Sequence, residues 1–324
     1  MKFESARSLK AEVQHDILLT APASDPNITL AQQAEREDRI PNMAIGITCS
    51  KHSDDYQLAL RLESAKDLET PEIARILALS RGEVDIQVTG PISALTPEPG
   101  EDHRLDQQKM LRIGSTISVI GSFGIGTLGV FVRQKGRKEL CILSNNHVIA
   151  SENRAAIGSA IYHWAGYGKE TVGKLVGFEP LTIRGPNEVD AAIARLDGVY
   201  AVDMASLSGG GRFTGIANTR CRVGMAASKI GVTSGRTFGT VRAIEMDFGM
   251  HYSVGRVSLV NQIEINGHEN AFSRPGDSGS MVMDRNNNAI GLNFASSRIR
   301  HLAYCNPIEA VLRKLNIELV NSQE

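Results

Sequence analysis

From residue 116 onward the chain consists of short apolar segments separated by glycine-rich or charged turns, with almost no helical periodicity. Short strands at this spacing are typical of β-barrels and β-sandwiches, in which each strand buries one face against its neighbours. The predicted strands are Thr116–Ser122, Gly126–Arg133, Glu139–Ser144, Thr171–Val176, Val189–Leu196, Thr240–Met246, Val257–Ile265, Gly279–Met283 and Ala289–Phe294. Residues 307–315 follow with helical spacing and Pro307 in the first turn. The pattern predicts a mainly β fold with a C-terminal helix.

The first hundred residues have a different organisation. Apolar residues at helical spacing predict an amphipathic helix within residues 3–19, and a polar segment follows it. Alternating and helical patterns then predict a β-β-α-β unit. A proline-rich polar stretch separates that unit from the strands. We therefore expect an N-terminal helix and linker at 1–40, a small α+β domain at 41–95, a linker at 96–111 and a β-rich domain at 112–324.

Composition narrows the classes of function. The net charge of −1 and the pI near 6.7 do not favour nucleic acid or a membrane surface as the main partner. No stretch is long and apolar enough for a transmembrane helix, and no apolar secretory segment follows Met1. The 4 cysteines are scattered, which predicts buried thiols in a reducing compartment, and we expect a cytoplasmic protein. The histidines lack the spacing of metal ligands, and neither glycine-rich stretch has a Walker lysine, so we expect no metal and no cofactor.

The sequence Gly276-Asp277-Ser278-Gly279-Ser280 is the first candidate for chemistry. Flanking glycines allow a tight turn that brings backbone N–H groups close to a bound carbonyl. Ser278 is therefore a candidate nucleophile, with the N–H groups of Gly276 and Ser278 as oxyanion donors. The same residues are also common in a surface β-turn, so the motif alone leaves both interpretations open.

A reactive serine needs a histidine base, and that histidine needs a carboxylate that fixes its orientation. His147 follows an apolar strand, where its side chain can project into a cleft, although a structural histidine fits the same position. Asp190 begins the apolar segment Val189–Ala194, and a buried aspartate is costly without a partner. A solvent-facing aspartate at a strand edge is the alternative. Asp197 lies in a turn sequence and is the poorer candidate.

Residues 112–317 resemble the trypsin-like serine proteases of the chymotrypsin fold. More narrowly, they are similar to an intracellular bacterial and plant group that includes the plant protein NARROW LEAF 1. The segments that carry the resemblance are Gly126–Gly129, Leu143–Val148, Asn187–Ala194, Lys229–Val241 and Pro275–Ser280. The resemblance implies two six-stranded antiparallel β-barrels with the active site between them. It also implies that His147, Asp190 and Ser278 form a catalytic triad, and that residues 41–95 are the small N-terminal domain of that group.

Two departures from the secreted members concern activation. Val148 stands where they have a disulfide-bonded cysteine, in agreement with a reducing compartment. Asp277 is present at the position that pairs with a new N-terminus in secreted zymogens, but no convincing cleavage site precedes the barrels. The chain could thus be active as it stands, or latent until a partner binds.

The resemblance also implies which residues bind substrate. The specificity pocket is expected to include Phe272, Arg274, Asn293, Phe294 and Ala295. No carboxylate stands where trypsin binds lysine or arginine, so we expect a small or medium apolar residue before the cleaved bond. Arg274 favours an acidic residue as the alternative.

These inferences lead to one main prediction and one alternative. The main prediction is a serine endopeptidase that acts on proteins or peptides, gated by a partner or active alone. The alternative is a catalytically weak trypsin-like scaffold with an interaction or regulatory role. In both, the N-terminal region is the candidate contact for an activating protein or for a second copy of the chain.

Overall fold

The computed structural model describes residues 1–15, 43–50, 54–94, 110–119, 124–165, 168–198, 200–208, 210–297 and 299–320. Residues 20–40 and 96–109, which make up most of the predicted linkers, lie outside these residues. The predicted domain boundaries stay predictions. The described strands form a 12-stranded sheet, an 8-stranded sheet and a two-stranded sheet. Within the described residues, no helix has the length and apolar character that crossing a bilayer requires.

The N-terminal part contains the predicted helix and the β-β-α-β unit. Its elements are α1 (Phe3–Val13), β1 (Met43–Cys49), β2 (Tyr56–Leu62), a 3-10 helix (Ala65–Glu69), α2 (Pro71–Ser80), β3 (Val84–Val88) and β4 (Ile92–Ala94). Pro71 occupies the first turn of α2, where its missing N–H costs nothing. The apolar faces of both helices pack on β1 and β2 around Val13, Leu60 and Ile73, which are fully buried.

The first barrel is formed by the 8-stranded sheet. Its strands are β6 (Thr116–Val119), β7 (Gly126–Thr127), β8 (Val130–Gln134), β9 (Cys141–Ser144), β10 (Ala160–Ala165), β11 (Gly168–Phe178), β13 (Ala192–Leu196) and β22 (Ile317–Leu319). β7 and β8 are consecutive parts of one extended segment, which pairs with β6 at one end and with β9 at the other. The sheet therefore curls into a barrel of six positions.

The second barrel lies within the 12-stranded sheet. Its strands are β16 (Ala226–Gly231), β17 (Gly235–Tyr252), β18 (Gly255–Gly267), β19 (Met281–Met283), β20 (Asn288–Ser297) and β21 (Leu302–Pro307). Each pairs antiparallel with two of the others, in the closed order β16-β17-β18-β21-β20-β19. The predicted pair of chymotrypsin-like barrels is confirmed.

Short elements complete the structure. They are β5 (Met110–Arg112) with β14 (Ala201–Asp203), α3 (Asn146–Ile149), β12 (Pro186–Asn187), β15 (Gly215–Ile216) and the predicted C-terminal helix α4 (Ile308–Leu315). One apolar cluster includes Val130 and Leu143 from the first barrel, Met281 and Leu292 from the second, and Val311 from α4. The two barrels and the C-terminal helix therefore share a core, which fixes the ends of their strands relative to one another.

The hairpin of β17 and β18 extends beyond the second barrel, and both of its edges pair with further strands. β1 adds to β17, with Ile45 opposite Asp247, so the N-terminal strands continue the sheet of the second barrel. At the other side β12 runs parallel to β18, with Asn187 opposite Leu259. The hairpin thus connects the N-terminal unit with the segment that leads to Asp190.

Candidate active site

The structure brings His147, Asp190 and Ser278 together. His147 Nδ1 lies 2.6 Å from Asp190 Oδ2, and His147 Nε2 lies 2.7 Å from Ser278 Oγ. His147 belongs to α3, directly after β9, Asp190 lies just before β13, and Ser278 lies in the turn before β19. The first two residues come from the first barrel and the third from the second. Hydrogen bonds of this length let the imidazole accept the serine proton.

Backbone contacts hold the histidine and the aspartate in place. The N–H of His147 donates to Asp190 Oδ1 at 3.1 Å, and the side-chain amide of Asn145 donates to the carbonyl of Asp190 at 2.6 Å. Because β9 and β13 are neighbours in the barrel, these bonds join the ends of two paired strands. The orientation of the imidazole is therefore built into the sheet.

The Asp190 carboxyl is fully buried, and its environment favours the charged form. Burial alone would raise the pKa of Asp190, but attraction to His147 and hydrogen bonds from His147 and Tyr252 outweigh it, so the pKa lies below its usual value. The Tyr252 hydroxyl donates to Asp190 Oδ2 at 2.8 Å. An ionised Asp190 can stabilise the imidazolium that forms when His147 takes a proton.

The turn that carries Ser278 depends on its glycines. Gly276 has φ 94° and Gly279 has φ 88°, the left-handed region that glycine enters without strain. A side chain at Gly279 would also collide with the Ser144 hydroxyl and the Thr127 carbonyl. The N–H of Thr127 donates to the carbonyl of Ser278 at 2.7 Å, so a strand of the first barrel is hydrogen-bonded directly to the turn.

A family comparison supplies the second line of evidence. Residues 126–292 match the model of the trypsin-like peptidase domain, a stretch of more than half of the chain that contains His147, Asp190 and Ser278. The chain belongs to this family. It is a trypsin-like serine protease, a hydrolase that acts on protein or peptide substrates. A comparison with curated protein sequences finds no match.

Three solved protease structures are similar to this chain at low sequence identity. Protease A of Thermobifida fusca is 16% identical, with 66% of this chain and 100% of that chain covered and a TM-score of 0.47. The chymotrypsin of Cellulomonas bogoriensis is 18% identical, with 66% and 100% covered and a TM-score of 0.44. A serine protease described as specific for glutamic acid is 20% identical, with 65% and 100% covered and a TM-score of 0.48.

An ion pair lies beneath the Ser278 turn of this protease. Lys229 Nζ is 2.8 Å from Asp277 Oδ2, and both side chains are fully buried. Asp277 Oδ1 accepts the N–H groups of Thr233 and Ser234, at 3.0 and 3.1 Å. Burial lowers the pKa of Lys229, and the adjacent carboxylate opposes that effect. The residue before Ser278 is thus fixed to the β16–β17 turn.

The residues predicted to bind substrate lie near the same turn. Phe272 is fully buried in the core of the second barrel, and Phe294 is fully buried against Phe248. Ala295 is also buried, whereas Arg274 is exposed. The backbone N–H of Arg274 donates to Asp277 Oδ2 at 3.0 Å. Their role in substrate binding stays a prediction.

Asn293 has a distinctive environment among these residues. Its side-chain amide donates to Ser273 Oγ at 2.7 Å and to the carbonyl of Asp277 at 3.1 Å. Its Oδ1 is buried, with no hydrogen-bond partner among the described residues. A buried acceptor without a donor is energetically costly.

Sequence reasoning did not assign roles to Lys229 and Tyr252. A lysine within the apolar segment Ala226–Gly231 is a signal for a buried ion pair, since a buried charge needs a partner. Tyr252 lies 62 residues after Asp190 in the chain. Nothing in the local sequence points to that contact, because it depends on the length of the β17–β18 hairpin.

Proposed function

We propose that the protein is a serine endopeptidase that forms an acyl-enzyme on Ser278. The observation that carries the proposal is the continuous contact from Asp190 Oδ2 to His147 Nδ1 and from His147 Nε2 to Ser278 Oγ, at 2.6 and 2.7 Å. In this proposal His147 is the general base and then the general acid, and Asp190 orients it.

Acylation begins when His147 Nε2 takes the proton of Ser278 Oγ while that oxygen bonds to the carbonyl carbon of the substrate. The carbonyl oxygen becomes an oxyanion, which the N–H groups of Gly276 and Ser278 are proposed to stabilise. His147 then returns the proton to the leaving nitrogen, and the C–N bond breaks. The amine product departs and an ester to Ser278 remains.

Deacylation repeats these steps with water. His147 removes a proton from a water molecule as its oxygen attacks the ester carbon, and the same N–H groups hold the new oxyanion. The C–O bond to Ser278 breaks, and Ser278 Oγ recovers the proton from His147. The net reaction converts one peptide bond and one water molecule into one carboxylic acid and one amine.

Gating by a partner belongs to the same proposal. Ser278 has no exposed surface, and only 6% of His147 is exposed. A substrate carbonyl must reach Ser278 Oγ, so this burial supports gating. We propose that a protein bound at the N-terminal region, or a second copy of the chain, makes Ser278 accessible to substrate.

Three finer predictions remain proposals. The pocket around Phe272, Asn293 and Ala295 is proposed to accept a small or medium apolar residue, with an acidic residue facing Arg274 as the alternative. The likeness to the group that includes NARROW LEAF 1 is proposed on the motif segments alone. The cytoplasmic location is supported by the four cysteines, which are thiols and form no disulfide in the described chain.

A fluorophosphonate probe tests the proposal, because it reacts with an activated serine hydroxyl. We expect labelling of the full chain, alone or after addition of a cell extract fraction that contains the partner, and loss of labelling in Ser278→Ala. The exposed Ser258 in β18 offers a matched control, and Ser258→Ala should label like the unaltered chain. Mass spectrometry of a digested protein substrate should then show cuts inside the polypeptide.

Two outcomes would count against the proposal. Labelling that persists in Ser278→Ala would place the reactive serine elsewhere. A folded chain that never labels, under any condition, would favour the scaffold alternative.

A further inference from the structure

The β17–β18 hairpin carries a tyrosine from the second barrel to the acid–base pair of the first. Tyr252 is the last residue of β17 and lies opposite Gly255 of β18. Its hydroxyl donates to Asp190 Oδ2 at 2.8 Å, and its ring centroid lies 6.4 Å from that of His147. Tyr252 therefore contacts Asp190 from a strand other than those that place Asp190 and His147.

The tip of the hairpin is held by several contacts with the first barrel. The N–H of Ser253 donates to Glu152 Oε2 at 2.5 Å, in the turn that follows α3. The side-chain amide of Asn187 donates to the carbonyl of Ser258 at 3.1 Å, beside the β12–β18 pairing. Tyr252 also belongs to an apolar cluster with Leu181 and Val257. These contacts give the phenol one position relative to Asp190.

The Tyr252 hydroxyl stays protonated and therefore remains a hydrogen-bond donor. Tyr252 is 7% exposed, and burial followed by the nearby Asp190 charge raises its pKa well above the usual value of 10. The phenol therefore keeps its proton over the pH range in which a protease is assayed. A hydrogen bond from a neutral donor to a buried carboxylate is stronger than one between two neutral groups.

The Asp190 carboxylate has donors on both oxygens. Oδ1 accepts the N–H of His147, and Oδ2 accepts both His147 Nδ1 and the Tyr252 hydroxyl. Rotation of the carboxylate would break bonds at each oxygen. The Tyr252 hydroxyl also partly neutralises the negative charge on Asp190 Oδ2, so Asp190 attracts a protonated His147 less strongly.

We propose that Tyr252 is a positioning residue of this active site, which fixes the Asp190 carboxylate against His147 and moderates the charge that the imidazole experiences. The inference rests on the proposed function. Among the described residues, the titratable groups that face Tyr252 are Asp190, His147 and Glu152, and Glu152 lies at the tip of the hairpin.

The variant Tyr252→Phe tests the proposal, because it removes the hydroxyl and keeps the ring. We expect kcat/KM at neutral pH to fall about tenfold, the scale of one charge-assisted hydrogen bond. We also expect the midpoint of the acid limb of the kcat/KM profile to move to higher pH, because an unshared Asp190 charge holds the protonated imidazole more strongly.

Tyr304→Phe is the matched control. Tyr304 is fully buried and its hydroxyl donates to the buried carboxylate of Glu264 at 3.0 Å, outside the Asp190 site. Both variants lose one buried hydroxyl on one carboxylate, so both should unfold at a lower temperature. Only Tyr252→Phe should move the acid limb.

A second measurement does not depend on turnover. In a Ser278→Ala background, proton NMR of the Nδ1–H of His147 reports its hydrogen bond to Asp190. The proposal requires this resonance to move on Tyr252→Phe and to stay in place on Tyr304→Phe. A folded Tyr252→Phe protein with an unchanged resonance, an unchanged acid limb and kcat/KM within twofold would overturn the inference while leaving the proposed function intact. A chain that never reacts with the fluorophosphonate would overturn both.

Discussion

Lys229 and Asp277 form an ion pair in which both side chains are fully buried, with 2.8 Å between Nζ and Oδ2. In secreted zymogens of the trypsin-like proteases, the aspartate before the serine pairs with a new N-terminus. In this chain the cation is a side chain of β16. The Ser278 turn is therefore anchored without cleavage of the polypeptide.

Removal of Lys229 should lower the stability of the fold. Lys229→Met leaves the Asp277 charge buried without its cation, and we expect a loss of about 3–5 kcal/mol in the free energy of unfolding. Urea denaturation measures this loss. The partly exposed Lys314, which pairs with Glu179 at 3.2 Å, is the control, and Lys314→Met should cost less than about 1 kcal/mol. Equal stability of the two variants would contradict a structural role for the buried pair.

Asp190→Asn should leave a folded protein with very low turnover. An asparagine amide can donate to the imidazole and so favour the tautomer that cannot accept the serine proton. We expect kcat to fall by about four orders of magnitude. Steady-state kinetics with a peptide ester measure it, and circular dichroism verifies the fold. A fall of less than tenfold would exclude Asp190 as the orienting carboxylate.

Acid should remove the stabilisation that Asp190 provides. Burial would raise the pKa of Asp190, but His147 and Tyr252 hold it below the usual 3.8, so the unfolded chain takes up the proton at a higher pH than the folded one. The contribution is complete above about pH 5 and is lost as the pH falls through the folded value. The difference in unfolding free energy between the unaltered chain and Asp190→Asn should shrink between pH 7 and pH 3. A difference that stays constant would show that Asp190 is not stabilised as an anion.

The N-terminal unit should be stabilised by a second buried ion pair. Arg61 of β2 contacts Glu264 of β18 at 2.8 Å, with both side chains fully buried. Arg61→Met should lower the free energy of unfolding by about 3–5 kcal/mol, because the Glu264 charge loses its cation. Arg242 is partly exposed and pairs with Asp85 at 2.9 Å, so Arg242→Met should cost less than about 1 kcal/mol. If urea denaturation gave Arg61→Met the same stability as Arg242→Met, the buried pair would not hold the unit in place.

Thiol reagents should leave the protease active. Burial raises the pKa of Cys141 to about 11 and that of Cys221 to about 12, and it also raises the pKa of Cys49 and Cys305. The thiolate is the reactive form, so alkylation of the folded chain by iodoacetamide near pH 8 should be slow. Fluorophosphonate labelling before and after treatment checks this. Rapid loss of labelling would indicate a reactive cysteine in the site.

Much of the β architecture could be predicted from local patterns, and the exceptions have physical causes. The predicted strand Thr240–Met246 is part of the longer Gly235–Tyr252. Its pairing register shifts between Val241 and Phe248, and Glu245 has φ 50°. Such bulges move side chains to the opposite face, so the alternation that marks a strand is interrupted. Ala226–Gly231 was not predicted because alanine, glycine and a buried lysine carry little β signal.

The candidate site shows the same division. His147, Asp190 and Ser278 could be predicted as candidates because each has a recognisable local sequence beside a strand, and the structure brings the three side chains into contact. Tyr252 and Lys229 were not assigned, because their importance arises only when distant strands pair. Lys229 leaves a local signal of a buried charge but none of its partner, and Tyr252 leaves no local signal at all.

The strand β22 follows the C-terminal helix and pairs with β8, so Ile317 lies opposite Gln134. Val320 is buried in the cluster of the first barrel, together with Phe131 and Ile142. Ribosomes synthesise a chain from its amino end, so this edge of β8 has no strand beside it until residues 317–320 have been made. The pairing of the first barrel's sheet is therefore completed only after the second barrel and α4 have been synthesised, and a nascent chain stalled before residue 317 should be a target for chaperones.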